Sequence, residues 1–389
     1  MSPLISIIMP VYNNERYFPI AVKSVLDQSF TDFELIIIND GSTDDTSKIA
    51  DEYAAKDRRV RAIHQENQWI YASINNGVAI AEGEYVYFLN SDDSLKPDAL
   101  KILSDIVVKH DPDIIWTCIE VNECDEHQAI TKSKVFPSGG NDYFFSDVNE
   151  VRGNYIYFYK QGFSHNQANL YRASIAKKHR LRNDIYGADQ LFNISVASDV
   201  NSAYVCYTPV YNHFIYEGSQ MNASVGKYYG YEHEMFNDFY TEYARLLKSW
   251  NIWSDDIEDT LSAARLTYLT GECRSFFASN CALPPEEKLR SIIGSVDDLV
   301  YSCAVKTNRI EELESRILSV CNEFFSWETI SNSSGYYFVF ELLESLLRYD
   351  KTHEDMKKIK SGVYHNNNPN HIGKCFYEKL IKGMDIQDV

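Results

Sequence analysis

At 389 residues the chain is longer than a typical single domain of roughly 100–200 residues, so two domains are expected. Its composition, 44% hydrophobic and 24% charged with 17 Gly and 10 Pro, is globular, and neither a low-complexity tract nor an internal repeat interrupts it. A formal net charge of −19 argues against a nucleic-acid footprint or a polybasic membrane patch, and an anionic ligand would need local compensation.

The opening MSPLISIIMPVYNN has an apolar run without a basic leader or a small-residue cleavage site, and it is too short to span a bilayer; it reads as a first strand. From Leu4 to about Glu120, β-branched runs alternate with segments of helical period, the pattern of βαβ units on a mostly parallel sheet. The expected strands are 5–11, 34–40, 60–64, 84–90 and 113–120. Phe18, Ala21, Val22, Val25 and Leu26 form one helical stripe behind Asn13 or Asn14 as a cap, and the next helix is expected to begin at Ser42 or Thr43. Two more are expected, from Ile70 to Ala81 with Gly83 at its end and from Pro97 to His110.

Between about 121 and 225 the alternation stops, and aromatic runs such as YIYFYKQGF (155–163) and YTPVYNHFIY (207–216) suit a substrate wall. Beyond Tyr228 the pattern is helical, with Ile257, Leu261, Ala264 and Tyr268, then Ile310, Leu313, Ile317, Val320 and Phe324 at helical spacing. The expected division is residues 1–225 as an α/β domain and 226–389 as an all-helical one. The eight cysteines are scattered with no CxxC pair, which points to reduced, buried thiols instead of a disulfide frame or a zinc site.

Open α/β sheets bind ligands outside the carboxyl ends of their strands, and here those ends are polar. The first leads into Pro10, Val11, Tyr12 and Asn13, the second into Asn39, Asp40, Gly41 and Ser42, and the fourth into Asn90, Ser91, Asp92 and Asp93. No glycine follows the first strand, which demotes dinucleotide binding. Adjacent carboxylates at a strand end repel each other unless a divalent cation or a function sustains them, so Asp92 and Asp93 fit an Mg²⁺ or Mn²⁺ site. The same SDDSLKPD stretch also suits an Asx turn before the next helix.

Together, PVYN, NDGSTDDT (39–46) and EGEYVYFLNSDDSLKPD resemble the family 2 glycosyltransferases of the GT-A, nucleotide-sugar-binding fold. The resemblance covers residues 4 to about 220 and implies a Rossmann-like mostly parallel sheet, a nucleotide-sugar donor with UDP as its nucleotide, and an acceptor that is a glycan or glycoconjugate. By position it implies that Pro10 and Tyr12 pack on the base, Asp40 accepts the uracil imide proton, Asp92 is the metal carboxylate of a DxD motif and Asn90 reaches the ribose or a metal-bound water. Asn13, Asn67, Asn75 and Ser91, from the same loops, are expected on the donor too. Where the family often reads NxGxSxARNxG this chain has NQWIYASINNG (67–77), so Ile74 stands in place of a diphosphate-binding arginine. IYASINNG is more similar to a branch reading GIYDAMNKG, which also accepts Asn at the first DxD position.

Inverting sugar transfer needs one carboxylate to accept the acceptor hydroxyl's proton. The family supplies it from an ED or AD step that opens a helix, which nominates Asp189 in YGADQLFNISVA; the competing reading is an N-terminal cap. FSHNQANLYR (163–172) resembles the segment beneath the donor sugar and nominates His165 and Gln167, while His213, and more weakly Ser219, fall where a loop closes over the pyrophosphate.

The expectation is therefore a metal-dependent inverting glycosyltransferase, cytoplasmic or at the inner membrane face, with no transmembrane segment. Its helical domain would serve acceptor, partner or homo-oligomer contacts. Two alternatives stay open: a nucleotidyltransferase, which should carry a glycine-rich basic loop that is not evident, and a degenerate binding scaffold, which Ile74 and Asn90 favour and the intact Asp92, Asp93 and Asp189 oppose.

Overall fold

The computed structural model describes residues 2–161, 165–216 and 227–310, together with 312, 313, 316, 317 and 320. Two compact units emerge, one of residues 1–223 and 245–252, the other of residues 224–244 and 253–389.

In the first unit the run Ile5–Val11 forms β1 and Phe33–Asp40 forms β2, both buried along their whole length. Continuous apolar runs of this kind are what a parallel sheet covered on both faces demands. Helix α1 (Phe18–Leu26) joins them and buries Phe18, Ala21, Val22 and Val25. Then come α2 (Thr46–Lys56), β3 (Val60–Gln65), α3 (Ile70–Ile80), β4 (Tyr85–Phe88), β5 (Ser94–Leu95), α4 (Ala99–His110) and β6 (Ile114–Cys124). Helix α3 lies close on the sheet at Gly77, where a Cβ would come within 2.4 Å of the Ile8 side chain.

The next stretch contains β7 (Ile130–Phe136), β8 (Tyr143–Phe145), α5 (Val148–Gln161), β9 (Leu170–Arg172), α6 (Ala173–Ala176), α7 (Ala188–Ala197) and β10 (Ala203–Tyr216). The sheet runs β3-β2-β1-β4-β9-β6-β10-β5, with β7 on β6 and β8 on β10. Its β3-β2-β1-β4 half is parallel, as expected. Beyond it short antiparallel strands join the sheet, while its longest pairings stay parallel as expected. Strand β9 lies antiparallel to both β4 and β6, and β5, β7 and β8 also pair antiparallel, leaving β6 with β10 as the other parallel pair. These are short return strands and a hairpin, which need no helical crossover.

Three local expectations shift. The cap of α1 is Tyr17, not Asn13 or Asn14, and α2 begins at Thr46, not Ser42 or Thr43, because those asparagines and hydroxyls are engaged in the loop contacts described below. The expected substrate wall at 155–161 is the end of α5, and its Tyr155 and Phe158 are buried against Trp116 at ring distances of 6.4 and 4.7 Å. Trp250, from the 245–252 segment, meets Tyr155 edge-on at 5.3 Å under the Arg152 guanidinium.

The second unit holds most of α8 (Glu232–Ser249) and all of α9 (Asp255–Ser275), α10 (Pro285–Gly294) and α11 (Asp298–Lys306). Ser254 caps α9 by accepting from the Ile257 amide at 3.4 Å. Leu266, Leu269 and Cys273 of α9 pack with Val300 and Ala304 of α11 and with Leu313, Ile317 and Val320. Phe324, the last member of the expected stripe, lies outside the described residues. No described helix is long and apolar enough to cross a membrane.

Candidate active site

The strand order places a topological switch between β1 and β4: the chain leaves β1 toward β2 and β3, then returns to β4 on the other side. Ligands of doubly wound sheets bind at such a reversal, where two loops part. The ends of β1, β2 and β4 are knitted together there. Asn13, at φ 46°, accepts from the Thr43 amide at 2.7 Å through Oδ1, and its own amide donates to Ser42 Oγ at 2.9 Å. The Asn14 amide donates to Thr46 Oγ1, and its side-chain amide donates to Ser91 Oγ at 3.0 Å, joining the β1 loop to the β4 loop. Asn13 and Ser91 thus build the loops.

Asp40 ends β2 and is 3% exposed. Its Oδ1 accepts from Gln65 Nε2 at 2.7 Å and from the Gln68 amide at 2.9 Å. Gly41 follows with φ 73°, and a Cβ there would come within 2.9 Å of the Asn67 amide nitrogen, so both conformation and space require glycine. Asn67 is exposed beside this turn, and Tyr12 stands 48% exposed beyond β1, where Pro10 is buried. Asn75 does not join them. Its side-chain amide donates to the Leu181 carbonyl at 2.8 Å and accepts from the Leu181 amide at 3.0 Å, a two-way clamp that ties α3 to the stretch before α7. Ile74, in the arginine's place, is 2% exposed within the packing of α3.

The acidic pair after β4 divides its work. Asp93 is 1% exposed, and its carboxylate accepts from Tyr211 Oη (2.6 Å), the Phe214 amide (2.9 Å), His213 Nδ1 (3.0 Å) and Asn90 Nδ2 (3.2 Å). With its lone pairs answered by protein, Asp93 anchors the loop. The same contacts draw Asn90 and His213 to the pair, and burial opposes the His213 charge while the Asp93 hydrogen bond outweighs it and raises the pKa. Asp92 differs: among the described residues its carboxylate is bonded by nothing beyond its own backbone amide. Burial, and then the charge of Asp93, push it up to about 7.

Asp189 lies in the first turn of α7, whose cap is Gly187, so the capping reading does not hold although the helix dipole still faces the side chain. The residue is partly open to solvent while its carboxyl is closely surrounded by protein, and burial pushes it up to about 6 against hydrogen bonds from the Gln190 amide and Tyr71. The Tyr71 hydroxyl shares its one proton between Asp189 and the Tyr186 carbonyl, fixing the turn before α7 against α3. His165 and Gln167 sit in a turn pinned from β6, where the Thr117 amide donates to Asn169 Oδ1 at 3.1 Å and Asn169 Nδ2 donates to the His165 carbonyl. No described hydrogen bond carries either side chain to Asp92 or Asp189, and Ser219 lies outside the described residues.

Residues 6–180, which contain the loops after β1, β2 and β4, match the family model described as glycosyl transferase family 2. They form a family 2 glycosyltransferase domain. EpsH of Bacillus subtilis (strain 168), a glycosyltransferase by name, is 30% identical over 224 residues, 56% of this chain and 62% of EpsH. Chondroitin synthase of Escherichia coli is 45% identical over 103 residues, 26% of this chain and 15% of that one. The chain thus spans less than two thirds of either relative. The crystal structure of S. aureus TarS superposes with a TM-score of 0.53 at 17% identity, covering 82% of this chain and 54% of that one, which establishes the GT-A fold.

Several residues of this glycosyltransferase domain and its extension escape sequence reasoning. Tyr211, fully buried, holds Asp93 and the Asn90 amide, and Tyr71 holds Asp189. Gln65 and Gln68 hold Asp40. Tyr211 stands in an aromatic run already conspicuous, but nothing in the run distinguishes it from its neighbours.

Proposed function

We propose that the chain is an inverting glycosyltransferase that moves a sugar from a nucleoside diphosphate donor to a hydroxyl of a glycan or glycoconjugate. The observation that carries this reading is the contrast within the acidic pair: four protein donors answer Asp93, while Asp92 stays partly open to solvent, unanswered and raised toward neutrality. A carboxylate in that state favours a cation beside it.

The residues fit a divalent ion. Among the described residues no group of three His, Cys, Asp or Glu side chains could hold one, and Mn²⁺ or Mg²⁺ bound by one carboxylate with donor phosphates needs no such group. Asp92 would hold it, and when bound it supplies Lewis-acid stabilisation to the leaving diphosphate. With Ile74 where an arginine could have met that charge, donor binding should depend strictly on the cation.

At the other end of the donor, Asp40 offers a carboxylate to a base edge that carries an imide proton, as uracil does and adenine and cytosine do not, and Tyr12 offers an exposed ring. Asp189, poised near 6, is ionised at neutral pH and suited to take the acceptor hydroxyl's proton as that oxygen attacks the anomeric carbon. The names of the relatives, a chondroitin synthase among them, support a glycan acceptor. Six described cysteines, all buried free thiols, support a reducing, cytoplasmic setting.

The test is calorimetric titration with UDP-, GDP- and dTDP-sugars, with and without Mn²⁺, of the wild type and Asp92→Ala. Metal-dependent binding of a UDP-sugar that the variant loses is the expected result. If no donor binds, the scaffold reading takes its place.

A further inference from the structure

Trp69 combines two features that add nothing to the fold. Its φ of 79° and ψ of 158° lie in a backbone region essentially reserved for glycine, and its side chain is 43% exposed. Hydrogen bonds lock the strained residue from both sides: the Gln68 amide donates to Asp40 Oδ1 at 2.9 Å, and the Trp69 carbonyl accepts from the Ser73 amide at 3.1 Å and Ser73 Oγ at 3.3 Å. Among the described residues the indole takes part in no hydrogen bond, ring pair or cation–π contact. In the pattern NxGxSxARNxG this position is the glycine, so the chain keeps the glycine backbone and adds the largest side chain to it.

The location of the ring gives that combination a purpose. Strand order β3-β2-β1 puts the end of β2, and hence Asp40, between the two flanking strands. Gln65, the last residue of β3, is in register with Asp40, and Trp69 follows four residues later. On the other side Val11, the last residue of β1, is in register with Asn39, and Tyr12 follows it. Two exposed rings, without ring or hydrogen-bond partners among the described residues, therefore issue from the loops on either side of one buried carboxylate. Strain at a non-glycine residue persists where the surrounding structure enforces it and function gains from it.

We propose that Trp69 contacts the donor, its indole covering a face of the nucleobase whose edge Asp40 takes. This rests on the reading of Asp40 as a base-binding residue, and the test separates the two. Tyr12 then supplies one aromatic surface and Trp69 a second, which makes base affinity depend on a residue outside the family pattern.

UDP is the probe, titrated with Mn²⁺ into the full chain and into Trp69→Gly, Trp69→Phe and Asp40→Asn. Calorimetry, tryptophan emission and thermal unfolding are read for each. Loss of the stacking surface in Trp69→Gly should weaken UDP binding about tenfold, while the same variant melts above the wild type because glycine relieves the strain. Trp69→Phe should keep most of the affinity yet lose the UDP-dependent change in emission, since among the described tryptophans Trp69 is the one that follows the Gln68 amide bonded to Asp40. Asp40→Asn should bind poorly. Wild-type UDP affinity in Trp69→Gly, with binding lost in Asp40→Asn, overturns the role of Trp69 and leaves the base site intact. The same holds if Trp69→Gly changes only the acceptor KM. Wild-type affinity in Asp40→Asn overturns the base-site reading and this proposal with it.

Discussion

The first unit leaves two closely surrounded carboxylates with no cation bonded to them, whereas the second unit closes its charges into a balanced set. Asp92 and Asp189 are both pushed up by burial, to about 7 and about 6, and no protein cation is bonded to either among the described residues. In the second unit Arg265 and Glu272 are 1% exposed and paired at 3.3 Å, His233 bridges Glu272 at 2.8 Å and Asp297 at 3.0 Å, and Asn237 joins Arg265 to Asp297. Two cations answer two anions. Buried charge that the fold neutralises serves the fold, while buried charge left in surplus points to something that arrives later.

Substitutions that remove charge should therefore act oppositely in the two places. The largest effect is expected at Asp189, where Asp189→Asn should lower turnover by about 10²–10⁴-fold with UDP-sugar binding retained, read as initial rates beside calorimetry. Its folded pKa is raised above the unfolded value, so the native state binds the extra proton and loses stability as pH rises through about 6; the amide escapes that penalty, and the variant should melt higher than the wild type at pH 7.5. A lower melting temperature would mean that Asp189 belongs to the fold. In the second unit Glu272→Gln should do the reverse, destabilising by about 3–5 kcal/mol in denaturant unfolding, because it leaves the buried Arg265 short of its partner.

Proton linkage sharpens the same contrast. With Asp189 as base, kcat/KM should rise with pH through about 6 and then level, since the reactive form is the carboxylate. In the second unit burial opposes the His233 charge but the bonds to Asp297 and Glu272 lift its pKa to about 9, and His233 in turn holds Asp297 down to about 2 against burial. The His233 contribution is complete below its unfolded pKa of about 6.5 and lost as pH rises through about 9. The Asp297 contribution is complete above 3.8 and lost as pH falls toward about 2. Unfolding followed from pH 5.5 to 9.5 should show this unit weakening over the upper half of that range, where the activity profile is already flat.

The smallest effect is expected at Gly41→Ala. A Cβ at φ 73° and 2.9 Å from the Asn67 nitrogen should cost about 1–2 kcal/mol of stability and weaken donor binding through the adjoining Asp40. Unchanged donor affinity in calorimetry would detach the Gly41 turn from the site.

How much of this could be read beforehand follows the range of the interactions. β1, β2, β3 and α3 lie within a residue or two of their expected bounds, because period and β-branching report burial along a local stretch. The polar strand ends are legible for the same reason: Asp40 ends a recognisable strand, and Tyr12 and Asp92 follow others. Helix starts at 18 and 46 are not legible locally, since Asn14, Ser42 and Thr43 look like caps until their partners some 30 residues away are known.

By itself the sequence determined the alternating α/β half, the helical character beyond Tyr228, the family of residues 6–180 and the short list of carboxylates from which a site could be built. Tertiary structure alone decided which of them are free. Asp92 and Asp93 are neighbours of identical chemistry, and only the return of β10, some 120 residues later, brings Tyr211, His213 and the Phe214 amide onto one of them and leaves the other open. The physical reason is that hydrogen-bond satisfaction is a property of surroundings assembled from distant segments, which no local pattern encodes.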